Sequence, residues 1–143
     1  MQLMMSADQE CSAFPEGDNL FSWVGSITGA DGTIYEGQTY KLALNFPEDY
    51  PYNPPTLLFT TNIYHPNVDT HGNICLDILK ENWSAAYNVQ TLLVSLRSLL
   101  AEPNVDSPLN SIAANMWKDE VQYRKVNDKK YEDAMKREEG GGK

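Results

Sequence analysis

The chain has 143 residues, with 20 Asp and Glu against 11 Lys and Arg, a formal net charge of −9. That length is in the usual range of one domain, expected to span 1–143, and lets roughly 68–70% of the unfolded surface be buried. Three Trp and eight Tyr argue against disorder, the acidic balance argues against nucleic acid, and no apolar run nears the ~20 residues of a membrane helix. The opening Met1-Gln2-Leu3-Met4-Met5 has no basic region before it, so no signal peptide is expected. The two cysteines, Cys11 and Cys75, are too few for a disulfide scaffold. Both are expected as thiols in a cytoplasmic or nuclear protein.

Residues 20–29 read as a strand with Phe21, Trp23, Gly25 and Ile27 on one face. Ala30-Asp31-Gly32 supplies a turn, 33–36 reads as a short strand, and Glu36-Gly37 punctuates the next connection. Residues 39–46 alternate, placing Tyr40, Leu42, Leu44 and Phe46 on the buried side. Residues 56–60 form a fourth strand, entered from the proline-rich stretch 47–55. Short connections predict an antiparallel meander.

Residues 61–87 are long, aperiodic and dense with turn formers, yet carry the anchors Ile63, Tyr64, Ile74, Leu76, Ile78 and Trp83. An ordered, functional loop is the expectation. Asn88 then reads as an N-cap, and Val89, Leu92, Leu93, Leu96, Leu99 and Leu100 share one helical face. Glu102-Pro103-Asn104 ends that helix, 108–118 reads as a short helix, and 120–137 as a last, more polar one. The tail 138–143 is expected to fray. Strands followed by helices predict an α+β domain: a four-stranded meander sheet, a long loop and three helices.

The loop carries His65, His71 and Cys75. Cys and His are zinc ligands, but a fourth donor would have to come from Cys11 or Asp69, and no paired C-x-x-C is present. A Cys–His hydrolase pair is a second reading, in which imidazole activates the thiol. A third makes Cys75 an acyl carrier, since exchange between thioesters is nearly balanced and needs positioning and an oxyanion donor such as Asn67. A fourth leaves Cys75 buried and inert, because free Cys is among the most buried residues.

His65-Pro66-Asn67, Gly72-Asn73-Ile74-Cys75-Leu76-Asp77-Ile78-Leu79 and Trp83-Ser84 together resemble the active-site signature of ubiquitin-conjugating enzymes. Phe46-Pro47, Tyr50-Pro51-Tyr52 and Pro54-Pro55 resemble that family's proline-rich loop. Leu99-Leu100, Glu102-Pro103-Asn104 and Pro108-Leu109 resemble the segment after its central helix. The blocks keep order and spacing over residues 10–135. Within the family, the stretches around Cys75 and Ser107 look most like the members serving the anaphase-promoting complex.

The resemblance implies that an activating enzyme passes ubiquitin to Cys75 as a thioester, and that a ligase brings the substrate whose lysine takes it. No cofactor and no metal are implied, because ATP is used by the activating enzyme. Asn67 matches an amide that stabilises the oxyanion or orders the active-site loop. His65, beside Pro66, matches a structural histidine, and Asp77 is placed to attract the incoming lysine. Many members carry an acid where Ser107 stands, so which group assists lysine deprotonation is left open, with Asp106 adjacent. Pro51, Tyr52, Ser84 and Ala85 match the two loops that ligases grip; many members have proline at the position of Ala85. Ser12 matches a back face where some members bind a second ubiquitin. Met1 to Ser6 provide only the last turn of the family's N-terminal helix, too short to be stable alone. That keeps a non-catalytic binding scaffold as the alternative.

Overall fold

The computed structural model describes residues 11–141. Strands β1 (Cys11–Glu16), β2 (Asn19–Thr28), β3 (Thr39–Asn45) and β4 (Thr56–Phe59) form one antiparallel sheet in the order β1-β2-β3-β4. Helices α1 (Val89–Ala101), α2 (Ser111–Met116) and α3 (Glu120–Gly141) follow, so the α+β class and the meander are as expected. The expected remnant of an N-terminal helix, 1–6, lies outside the described residues.

Register follows from the alternation that the sequence carries. Trp23 pairs with Leu44, Gly25 with Leu42 and Ile27 with Tyr40, and all of these are buried. Across the next ladder Leu42 meets Phe59 and Leu44 meets Leu57. Helix α1 is buried through Val89, Leu92, Leu93, Leu96 and Leu100, in the same hydrophobic core as this face. Each such leucine contributes roughly 1.5–3 kcal/mol by leaving water. Asn88 caps α1 as expected: its Oδ1 accepts from the Thr91 N–H at 2.9 Å. The helix stops before Pro103, which disfavours helical backbone at Glu102.

Four strands were expected, but not these four. The stretch 33–36 is not a strand; it is two successive turns, with Thr33 N–H donating to Ala30 O and Glu36 N–H to Thr33 O. The chain doubles back so tightly that a Cβ on Gly29 would lie 2.1 Å from Tyr35 O. The fully buried Tyr35 drives this, its hydroxyl reaching Tyr64 O and the Tyr123 hydroxyl. The strand the sequence reading missed is β1, which contains Pro15. Pro15 is tolerated because β1 pairs on one side only, with β2. Phe21 shares the expected face with Trp23 but lies beyond the last β2–β3 pair, Ser22 with Asn45, and is exposed.

The short helix is narrower than 108–118 because Asn110 caps it, accepting from Ala113 N–H at 3.0 Å. Helix α3 runs past 137 to Gly141, and the rest of the tail expected to fray, 142–143, lies outside the described residues. A stripe of docking residues explains its length. The Tyr123 hydroxyl donates to Tyr64 O, Asn127 Nδ2 donates to Gln38, Tyr131 bonds the Thr39 backbone, and Glu138 accepts from the Thr61 hydroxyl at 2.7 Å.

Candidate active site

Cys75 is pinned by its backbone before its side chain does anything. Gly72 adopts φ +90° and its carbonyl accepts from Phe59 N–H at 2.9 Å, seating the tip of the loop against β4. The Asp69 carboxylate accepts from the backbone N–H of His71 and Asn73 and from the Asn73 amide. The Asn73 side chain, with those N–H groups, holds Asp69 below the ordinary carboxylate range. Bridges join Asn73 to Leu58 and Ile74 to Val68, and Cys75 N–H donates to Asn67 O at 2.9 Å. Ile74 and Leu76 are buried, while Cys75 between them is only half-buried and in no disulfide. This arrangement presents the thiol at the surface from a fixed backbone.

The His65-Pro66-Asn67 stretch is a clasp between this loop and the segment after α1. His65 is wholly buried: its Nδ1 accepts from Asn67 N–H at 3.0 Å, so the ring carries its proton on Nε2 and donates to Leu99 O at 2.9 Å. Burial lowers its pKa to about 4, only partly opposed by the bond to Leu99. The buried Pro66 gives its carbonyl to the N–H groups of both Leu109 and Asn110. The Asn67 amide, also fully buried, exchanges two bonds with Asn104: Nδ2 donates to Asn104 O and Oδ1 accepts from Asn104 N–H. Three consecutive residues thus fasten the Cys75 loop to 99–110.

With both ring nitrogens engaged, His65 cannot serve Cys75 as a Cys–His base would. Among the described residues, no group of three His, Cys, Asp or Glu side chains is placed to hold a metal ion. Asp77 is exposed at the head of a 3-10 turn, Asp77–Leu79, and accepts from the Asn82 amide at 2.7 Å. Ser107 is exposed on the clasped segment, next to the exposed Asp106.

The remaining predicted residues gather on a second patch. Trp83 Nε1 donates to Pro51 O at 3.0 Å, and its ring lies 6.1 Å from Tyr50. That bond brings the loop of Pro51 and the 81%-exposed Tyr52 beside Ser84 and Ala85. The Ser84 hydroxyl accepts from Ala86 N–H, fixing that loop. The reading from sequence made Trp83 only an anchor of the loop and Asn104 only part of a helix stop, and gave neither a hydrogen-bonding role. Asn104 was detectable as a turn-forming amide just past a helix. Nothing in the sequence announces an indole bonding a carbonyl 32 residues away. It also missed an apolar groove of about 320 Å³ lined by Leu20, Phe21, Trp23, Phe46, Pro47 and Tyr50, among others.

A family model described as ubiquitin-conjugating enzyme matches residues 1–131. The chain belongs to the ubiquitin-conjugating enzyme family. It is also 55% identical over 135 residues to the ubiquitin-conjugating enzyme E2-20 kDa of Schizosaccharomyces pombe, an overlap of 93% of this chain and 77% of that protein. As a ubiquitin-conjugating enzyme it is a transferase that works with ubiquitin, an activating enzyme and ligases, the partners common to the family.

Proposed function

We propose that this chain accepts ubiquitin from the activating enzyme as a thioester on Cys75 and passes it, with a ligase, to a substrate lysine. The observation that carries this reading is the half-buried Cys75 held between buried Ile74 and Leu76 by its N–H bond to Asn67 O. Transfer between thiols is close to balanced, so a fixed nucleophile at the surface is what the reaction needs most. The Cys75 thiolate adds to the ubiquitin carbonyl and the outgoing thiol leaves; a lysine amine later adds to the same carbonyl and displaces Cys75.

Asn67 serves first as the clasp to Asn104. Asn104 O takes one of the two Nδ2 hydrogens, and the second is the one available to a developing oxyanion. A well-placed donor of this kind contributes about 3–4 kcal/mol to the transition state. The lysine must shed a proton held with a pKa near ~10.4. Asp77, facing solvent, is the carboxylate nearest in sequence to Cys75, and Ser107 with Asp106 lies on the segment clasped to its loop. The Pro51, Tyr52, Ser84 and Ala85 patch is the ligase surface, with the anaphase-promoting complex as the ligase and cell-cycle protein degradation in cytoplasm or nucleus as the setting. Motif likeness around Cys75 and Ser107 supports that finer assignment.

The test is loading with activating enzyme, ubiquitin and ATP, comparing this chain with Cys75→Ser. The expected result is a thiol-sensitive adduct that becomes thiol-resistant in the serine variant. No adduct would favour a binding scaffold of the same fold.

A further inference from the structure

Leu76 is buried and its backbone is extended, with φ −141° and ψ 119°. The residues on either side of an extended residue project to the same side. With Leu76 turned inward, Cys75 and Asp77 therefore both face outward, Cys75 half-buried and Asp77 exposed. Two extended residues span at most ~7 Å, so an amine approaching a thioester on Cys75 passes within reach of the Asp77 carboxylate. A free carboxylate at such a place would turn among its rotamers. This one is held at two points by a single residue: Asn82 Nδ2 donates to Asp77 Oδ2 at 2.7 Å, and Asn82 N–H donates to Asp77 O at 3.0 Å.

We propose that Asn82 is a positioning residue, holding the Asp77 carboxylate where it meets the ammonium of the acceptor lysine. The inference rests on the function proposed above. In the transfer step one proton of the ammonium passes to solvent, the N–C bond to ubiquitin forms, the C–S bond to Cys75 breaks, and a second proton ends on Sγ.

Asn82 is fixed on both sides. Before it, the 3-10 turn seats Ile78 and Leu79 against the core, and Lys80 N–H also donates to Asp77 O, at 2.9 Å. After it, Trp83 N–H donates to Lys80 O and the indole to Pro51 O. The amide is thus a rigid donor. It engages Oδ2 and leaves Oδ1, which accepts no bond from a described residue, for the ammonium. A cation at position 82 would pair with the carboxylate and compete with the lysine; an amide orients the charge without neutralising it. Exposed contacts of this kind change affinity about two- to fivefold, so the effect falls mainly on KM for lysine.

The test uses the wild type, Asn82→Ala, Asp77→Asn and the double variant. Each is charged, freed of activating enzyme and ATP, and discharged onto free lysine and onto hydroxylamine, with rates read on the loaded fraction. Hydroxylamine is uncharged near neutral pH and needs no carboxylate partner. Asn82→Ala should raise the lysine KM about two- to fivefold, lower the ratio of lysine to hydroxylamine discharge, and add nothing further in the Asp77→Asn background. Equal slowing with both nucleophiles, an equal effect in the Asp77→Asn background, or an unchanged KM overturns the proposal. In the uncharged chain, NMR three-bond couplings at Asp77 should report one χ1 rotamer in the wild type and averaging in Asn82→Ala; averaging in both overturns the positioning without any loading. Failure of the wild type to load strikes the thioester reading, whereas a loaded wild type with no Asn82 effect strikes this inference alone.

Discussion

The Asn67 side chain and the Asn104 backbone exchange two hydrogen bonds, each 2.8 Å long, across 37 residues of sequence. Asn67→Ala removes both and leaves the Asn104 groups without their partner. A loss of about 2 kcal/mol is expected in urea unfolding, from two unmade bonds. Asn67→Asp keeps an acceptor for the Asn104 N–H but turns a carboxylate oxygen toward the Asn104 carbonyl in a fully buried site. It is expected to be the less stable of the two at neutral pH, because an unpaired buried charge costs more than a cavity. The reverse order would show that the amide donor matters little.

The buried His65 makes stability depend on pH in a defined window. Its folded pKa is about 4 against an ordinary 6.5, so between those values the unfolded chain binds the extra proton. The His65 contribution is therefore complete above pH ~6.5 and is lost as pH falls toward ~4, reaching about 3 kcal/mol by linkage. Urea midpoints measured across this range should fall with acid, and His65→Gln should flatten that slope. An NMR titration should show the ring neutral down to pH ~5. A lysine-discharge rate that titrates with His65 near neutrality would contradict the clasp geometry.

How legible this molecule was depends on whether a residue's partner was local or an apolar face, or a polar group distant in sequence. The α1 leucines and Asn88 announce the helix because their partners lie within the helix or on an apolar sheet face. The alternation of β3 was equally plain. Tyr35 misled: 33–36 has strand-forming residues, but the tyrosine is drawn inward by Tyr64 O and Tyr123, 29 and 88 residues away. Tertiary burial overrode local propensity. At the site, Cys75 and His65-Pro66-Asn67 stand out as motif, yet what they hold are the carbonyls of Leu99 and Asn104 and the N–H groups of Leu109 and Asn110. Every residue type has those groups, so no pattern of letters reveals which are used.

The Trp83 indole links the two loops of the proposed ligase surface through Pro51 O. Trp83→Phe preserves the aromatic contacts to Tyr50 and Tyr87 but deletes the donor. A stability loss of about 1 kcal/mol is expected. The sharper effect should be on ligase stimulation, measured as the ratio of lysine discharge with and without ligase, since the loops lose their mutual position. A stability loss with an unchanged ratio would show that the indole supports the fold and not the ligase surface.

Gly72 offers the most local test of how the Cys75 backbone is set. Its φ of +90° is a conformation that L side chains rarely adopt, and an added Cβ would lie 2.2 Å from Phe59 O. Gly72→Ala must therefore break the Phe59 N–H to Gly72 O bond or shift β4, at a cost of about 1–3 kcal/mol. The disturbance passes through Asn73, which bridges Leu58, and Ile74, which bridges Val68, to the Cys75 N–H. Amide exchange should accelerate at Phe59 and Cys75 while the α1 amides stay protected, and thioester loading should fall with the Cys75 protection. Exchange rising uniformly through α1 would mean instead that the turn supports the whole core.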